Sequence, residues 1–147
     1  MPTAKPGSKV LLDTSVVVNL LTPEPLSARA EAFVIANPTG LVVSDFTIVE
    51  FSSVIARRVR AREMSVDEAQ VTFGDFDAWS GRATVRIEIE ALDVAQATAF
   101  LRRLDLPLRA PDAIHIAMVQ RLDATLVTFD RGMATAARRL GIAVADA

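Results

Sequence analysis

R-A-P-D-A-I-H-I-A-M-V-Q-R-L-D-A-T-L-V-T-F-D-R-G, residues Arg109 to Gly132, is the stretch that decides the fold. Pro111 suits the first position of a helix, where its missing N–H costs nothing. Asp112 follows in the first turn, where backbone N–H groups and the helix dipole favour an anion. Ala113, Ile114, Ile116, Ala117, Met118, Val119 and Leu122 go round most of the helix, which predicts burial on several sides. Asp112 shares its 3.6-period face with His115, Ile116 and Val119, at the edge of a core. Thr125 to Phe129 reads as a short buried strand, with Asp130 just beyond its carboxyl end and a helix opening near Arg131. Sites in open α/β sheets form at the carboxyl ends of strands, so the two acids are placed to share a cleft.

The same alternation extends back to the start of the chain. Lys9 to Leu12 reads as a strand ending at Asp13-Thr14-Ser15, followed by an apolar helical turn or two to Leu21 and a break at Thr22-Pro23-Glu24-Pro25. Ser27 is an N-cap candidate for a helix to about Ala36, and Asn37 to Gly40 is a turn. Leu41 to Val43 is the next strand. Ser44 or Asp45 caps a helix to about Arg62, striped by Ile48, Phe51, Ile55 and Val59, which leaves Glu50 on the opposite, watery side with Ser53 and Arg57. Ser65 to Glu68 is a capping box for a helix that turns Val66, Ala69, Phe73 and Phe76 to one face and ends near Ser80-Gly81. Val85, Ile87 and Ile89 alternate with charges, as in a half-exposed edge strand. Asp93 caps a helix with Val94, Ala97, Leu101 and Leu104 inward. Met133, Ala136, Ala137 and Leu140 stripe the last helix, Gly141 is its C′ residue, and Ile142 to Val144 form a last strand. The pattern predicts one α/β domain over residues 1–147, a central parallel sheet of four to five strands with helices on both faces.

With 147 residues, 51% of them hydrophobic and 23% charged, the chain has the composition of a packed globular protein. Cysteine is absent, which excludes disulfides and thiolate metal sites and fits a reducing cytosol. The amino terminus has no apolar leader and no run is long enough to span a membrane, so a cytoplasmic location without membrane contact is expected. A formal net charge of −2 gives no global pull on nucleic acid, so any such binding is local. Nearly all the cations are arginine, whose planar fork suits phosphate, although a GC-rich coding sequence produces the same bias.

Acids recur at the strand ends: Asp13, then Asp45 and Glu50 after the second strand, then Asp130, with Asp112 opening the buried helix. Taken singly, Asp13, Asp112 and Asp130 also read as helix caps, Asp45 reads as a cap, and periodicity leaves Glu50 in solvent. Crowded together, carboxylates raise one another's pKa unless a cation neutralises them. Oxygen ligands without cysteine and with a single histidine suit Mg²⁺ or Mn²⁺ rather than a structural zinc. The chemistry such a cluster fits is metal-assisted phosphodiester hydrolysis.

L-L-D-T-S-V-V-V-N-L-L, S-D-F-T-I-V-E-F, A-P-D-A-I-H-I-A and V-T-F-D-R-G together resemble the four motifs of the PIN domain, particularly those of VapC toxins of bacterial type II toxin–antitoxin systems. The resemblance covers nearly the whole chain, in order. It implies an endoribonuclease whose metal-binding and catalytic acids are Asp13, Glu50, Asp112 and Asp130, with Mg²⁺ as cofactor, and it reverses the solvent reading of Glu50. It also implies supporting hydroxyls at Ser15 and Thr128, 5′-phosphate and 3′-hydroxyl products, a homodimer, and a VapB-like antitoxin as partner.

His115 lies one turn from Asp112, where it either supports a carboxylate or only packs. Arg57, Arg58, Arg60 and Arg62 present either a solvated helix face or contacts for RNA or an acidic partner, and Arg109 joins Arg57 and Arg58 as a candidate for that role. Trp79, Phe73 and Phe76 offer a contact surface unless they pack in the core. Among rival readings, a receiver-type switch domain needs a late lysine, and none follows Lys9. A haloacid-dehalogenase-type phosphatase wants an acid where Ser15 stands, and a dinucleotide fold lacks its glycine fingerprint. A non-catalytic PIN-like nucleic-acid-binding module remains as the alternative.

Overall fold

The structure, a computed structural model, describes residues 8–147; of the amino-terminal stretch read for a leader, residues 1–7 lie outside it. Five strands, β1 (Val10–Leu12), β2 (Leu41–Ser44), β3 (Val85–Ile87), β4 (Thr125–Val127) and β5 (Val144–Ala145), form a sheet in the order β3-β2-β1-β4-β5. Every pairing is parallel. The helices are α1 (Thr14–Leu21), α2 (Ser27–Ala36), α3 (Asp45–Arg60), α4 (Val66–Ala83), α5 (Ala91–Arg102), α6 (Ala110–Arg121) and α7 (Arg131–Arg139). Among the described residues no helix is long and apolar enough to cross a membrane.

Side-chain alternation along the strands explains why helices cover both faces. Val10 and Leu12 of β1 point into a core shared with α1 to α4, built on Val16, Phe33, Phe51, Ile55 and Phe76. Leu11, between them, points to the other face and packs with Phe100, Ile116, Met118, Leu126 and Met133 of α5, α6, β4 and α7. The central strand β1 is therefore fully buried, and its carboxyl end opens between two helical layers.

Several expectations hold in detail. Ser65 and Glu68 form the capping box, with bonds of 3.1 and 2.7 Å, and Gly141 takes the left-handed φ of +75° that ends α7. Ala113 and the residues His115 to Val119 of α6 are all buried, as the apolar wheel requires. Phe76 stacks on Phe51 at 4.8 Å inside the core, and Phe73 and Trp79, half-buried, pack against the same core.

Other expectations fail for identifiable reasons. Ser44, not Asp45, caps α3, accepting from the Thr47 N–H, while Asp45 pairs with Arg86 across to β3. Ser27 is the first residue of α2 instead of its cap; its hydroxyl accepts from the Glu24 N–H and donates to the Thr22 carbonyl. Asp93 lies inside α5, buried, where Arg121 of α6 grips both of its oxygens at 2.8 and 2.9 Å. That ion pair turns the polar Asp93 inward with Ala97 and Phe100, so Val94 rotates out to 49% exposure. Leu104 lies beyond the helix end at a φ of +65°, where helical periodicity no longer applies, and is exposed. Val66, in the first turn of α4, is exposed as well. β3 stops at Ile87, before Ile89, and β5 falls at Val144–Ala145 because Val144 takes the register opposite Leu126.

Candidate active site

Asp13 follows β1 directly and caps α1, accepting from the Val16 N–H at 3.3 Å. Its side chain is buried, and both oxygens are occupied. Ser15 Oγ donates to Oδ1 at 2.6 Å and Thr128 Oγ1 donates to Oδ2 at 2.7 Å. The two hydroxyls accept in turn, Ser15 from the Phe129 N–H and Thr128 from the Asp130 N–H, each at 3.0 Å. This knot ties the end of β1 to the end of β4. Burial pushes the Asp13 carboxyl above its ordinary range, against the downward pull of His115 and of the donated hydrogen bonds.

Asp130 caps α7, its Oδ1 accepting from the Met133 N–H at 2.9 Å. Two residues on, a side-chain Cβ at Gly132 would stand 3.3 Å from that same oxygen and 3.7 Å from the Pro107 carbonyl, so the missing side chain leaves the carboxylate its room. Asp112, in the first turn of α6, accepts from the Arg109 N–H at 3.3 Å. The Arg109 guanidinium stands 3.7 Å from Asp112 and 3.9 Å from Asp130.

Glu50 is not in open water. Its Oε1 accepts from Thr14 Oγ1 at 2.8 Å and meets His115 Nε2, and its side chain is 26% exposed. The wheel misjudges it because the first turns of α3 lie between two layers. Phe46, one turn before Glu50, packs on the His115 ring at 5.0 Å and on the core around α6, so this end of α3 has a second buried face. Phe46, apolar and off the main stripe, was the available signal. Burial raises the Glu50 carboxyl, but the hydrogen bond and electrostatic pull of His115 and the Thr14 hydroxyl outweigh it and hold the group below its usual range. His115 is thus both a packing residue and a partner of Glu50. Its Nδ1 is buried with no hydrogen-bond partner among the described residues.

The chain thus brings Asp13, Glu50, Asp112 and Asp130, with Ser15, Thr128 and His115, to one end of the sheet through direct contacts or shared partners. Thr14, next to Ser15, supports Glu50, so the adjacent hydroxyls serve different acids. Arg58 is taken up elsewhere: it pairs with Glu24 and donates to Thr22 Oγ1 at 3.2 Å. Arg57 and Arg58 line a cavity of 830 Å³ together with Glu24, Glu63, Asp67 and Glu68, away from the four acids.

Among the described residues, no three acidic or histidine side chains gather tightly enough to enclose an ion on their own. The donors nonetheless fit a hard divalent cation. All four are carboxylates, the buried Asp13 gains from a nearby positive charge, and Gly132 leaves space beside Asp130. Mg²⁺ typically keeps several waters and takes only one or two carboxylates directly, so an open ring of acids suits it.

A family model described as the PIN domain matches residues 10–139. No curated protein matches the chain by sequence. The fold is similar to that of FitAcB from Neisseria gonorrhoeae, with a TM-score of 0.70 at 21% identity over 92% of this chain and 95% of that one. It is equally similar to VapC20 from Mycobacterium tuberculosis, a sarcin–ricin loop cleaving toxin, with a TM-score of 0.70 at 18% identity over 87% and 95% of the two chains. A toxin–antitoxin complex from Klebsiella pneumoniae matches with a TM-score of 0.59 at 21% identity, covering 83% and 87%.

Proposed function

The chain belongs to the PIN domain family, and on that footing we propose that it is a Mg²⁺-dependent endoribonuclease, Mn²⁺ substituting, that serves as the toxin of a type II toxin–antitoxin pair. The observation that carries the reading is the hydrogen-bonded knot holding the buried Asp13 beside Asp130, with Glu50 and Asp112 on the neighbouring helices. Asp13, Glu50, Asp112 and Asp130 are the residues to hold the ion. A bound Mg²⁺ supplies a polarised phosphoryl oxygen and a water of lowered pKa.

The chain's own groups do the positioning. Ser15 and Thr128 fix both oxygens of Asp13, so this carboxylate keeps one orientation as the other ligands adjust. Thr14 and His115 hold Glu50 through Oε1, which leaves Oε2 without a hydrogen-bond partner among the described residues and free to face the ion.

The likeness to a loop-cleaving toxin and to a toxin–antitoxin complex supports RNA as substrate and a VapB-like antitoxin as partner. The proposal extends to a cytoplasmic homodimer. The alternative, a non-catalytic PIN-like module that only binds nucleic acid, draws on the acids' failure to close round a single point. Incubating the purified chain with single-stranded RNA, with Mg²⁺ or with EDTA, separates the two. Metal-dependent cleavage that Asp13→Asn abolishes supports the nuclease. RNA binding without cleavage at any metal concentration overturns it.

A further inference from the structure

Arg109 has no task in that scheme, yet it touches two of the four acids. It stands just before α6, its Nε 3.7 Å from Asp112 Oδ2 and its Nη2 3.9 Å from Asp130 Oδ2. A single guanidinium therefore spans carboxylates carried by two different helices. The segment that bears it is fixed against α7, since the Asp105 carbonyl accepts from Arg139 Nη1 at 3.2 Å and the Pro107 carbonyl lies beside Gly132. The contacts themselves are weak: both distances are long and the Arg109 side chain is 80% exposed. A group anchored at its backbone and loosely paired at its tip is easily exchanged.

A divalent ion that takes oxygens of Asp112 and Asp130 competes for the same electron pairs and repels the guanidinium. We propose that Arg109 is the exchangeable counter-cation of this centre: metal loading onto Asp112 and Asp130 displaces its guanidinium, which swings, still tethered at the rim, to a phosphate of the RNA. The inference rests on the metal-dependent reading above. Arginine suits the second half of the exchange because its planar fork engages two phosphate oxygens at once.

The test titrates Mg²⁺ by calorimetry, without RNA and at constant ionic strength, into the full wild-type chain, Arg109→Gln and Arg109→Lys. Its exposure makes Arg109 safe to replace. Arg109→Gln is expected to bind Mg²⁺ about 3- to 10-fold more tightly than wild type, with Arg109→Lys between them, because exposed pairs of this kind are individually weak. Its KM for a single-stranded RNA is expected to rise several-fold at saturating Mg²⁺. Equal or weaker Mg²⁺ binding by Arg109→Gln, with wild type binding normally, overturns the exchange and leaves the proposed function standing. Tighter Mg²⁺ binding with an unchanged KM overturns the phosphate half alone. If no variant binds Mg²⁺, the metal reading fails and the exchange falls with it.

Discussion

Asp13 and Asp130 both lie beyond the carboxyl end of a strand and both cap a helix, yet they live under opposite conditions. Asp13 is 5% exposed, with a hydroxyl on each oxygen. The side chain of Asp130 is 38% exposed, its cap bond is on Oδ1, and Oδ2 is shared loosely with Arg109. The difference divides the site into a fixed half, set by β1, β4 and their hydroxyls, and an adjustable half at the rim of α6 and α7. A buried carboxylate held by neutral donors keeps its geometry but remains electrostatically unfavourable. An exposed one gives up position but exchanges partners at little cost.

The comparison is tested most severely at Asp13. Asp13→Asn is expected to lower RNA cleavage by about a thousand-fold or more, the scale seen when a group stabilising transition-state charge is removed. The same change is expected to raise the melting temperature in EDTA, because it removes a buried charge. A variant that loses activity and stability together would show that Asp13 is mainly a structural cap. Next in size is Thr128→Val, which strands the Asp13 Oδ2 and the Asp130 N–H at once. It is expected to cost about 1–3 kcal/mol by thermal or denaturant unfolding, and cleavage is expected to fall with it.

A pH series sharpens the contrast further. The folded-state pKa of Asp13 is raised, so this group costs stability at neutral pH, and the cost is relieved as pH falls through the raised value towards the ordinary 3.8. Glu50 is held low, so it contributes stability above its ordinary 4.5 that is lost as pH falls towards its folded-state pKa. In EDTA, the stability gap between Asp13→Asn and wild type is therefore expected to narrow on acidification, and a gap that widens contradicts the raised pKa. The corresponding Glu50→Gln gap also closes in acid but has the opposite sign at neutral pH, wild type being the more stable.

The smallest expected effect is at the rim. Gly132→Ala gains helix propensity of roughly 0.5–1 kcal/mol while crowding Asp130 Oδ1 at 3.3 Å. Melting in EDTA is expected to change little while Mg²⁺ affinity falls a few-fold; an unchanged affinity would mean that Asp130 moves freely enough to ignore the methyl group.

The sequence was most legible where period and chemistry agreed. β1 is fully buried and β4 and the middle of α6 largely so, so their apolar runs left few alternatives, and Asp13, Asp112 and Asp130 stand where those elements begin and end. Glu50 was legible only through motif resemblance, because a helical wheel assumes one buried face and the start of α3 has two. Asp93 reads from local pattern as a helix cap, and its burial inside α5 was illegible for a related reason. Its partner Arg121 is 28 residues away, and an ion pair at that separation leaves no periodic trace. The loose position of Arg109 between two acids depends on how the segment before α6 meets α7, which local pattern does not encode.

The bond from Thr128 to Asp13 spans 115 residues, and the two elements it joins are neighbours in the sheet although much of the chain lies between them. Neither end holds a working half of the site. During synthesis, Asp13 leaves the ribosome 115 residues ahead of Thr128 and waits with its oxygens unsatisfied by that hydroxyl until β4 has emerged and paired with β1. A growing chain thus lacks the assembled cluster of acids until Asp130 has been made. For the proposed ribonuclease, the order of the strands would hold back cleavage until the sheet has closed.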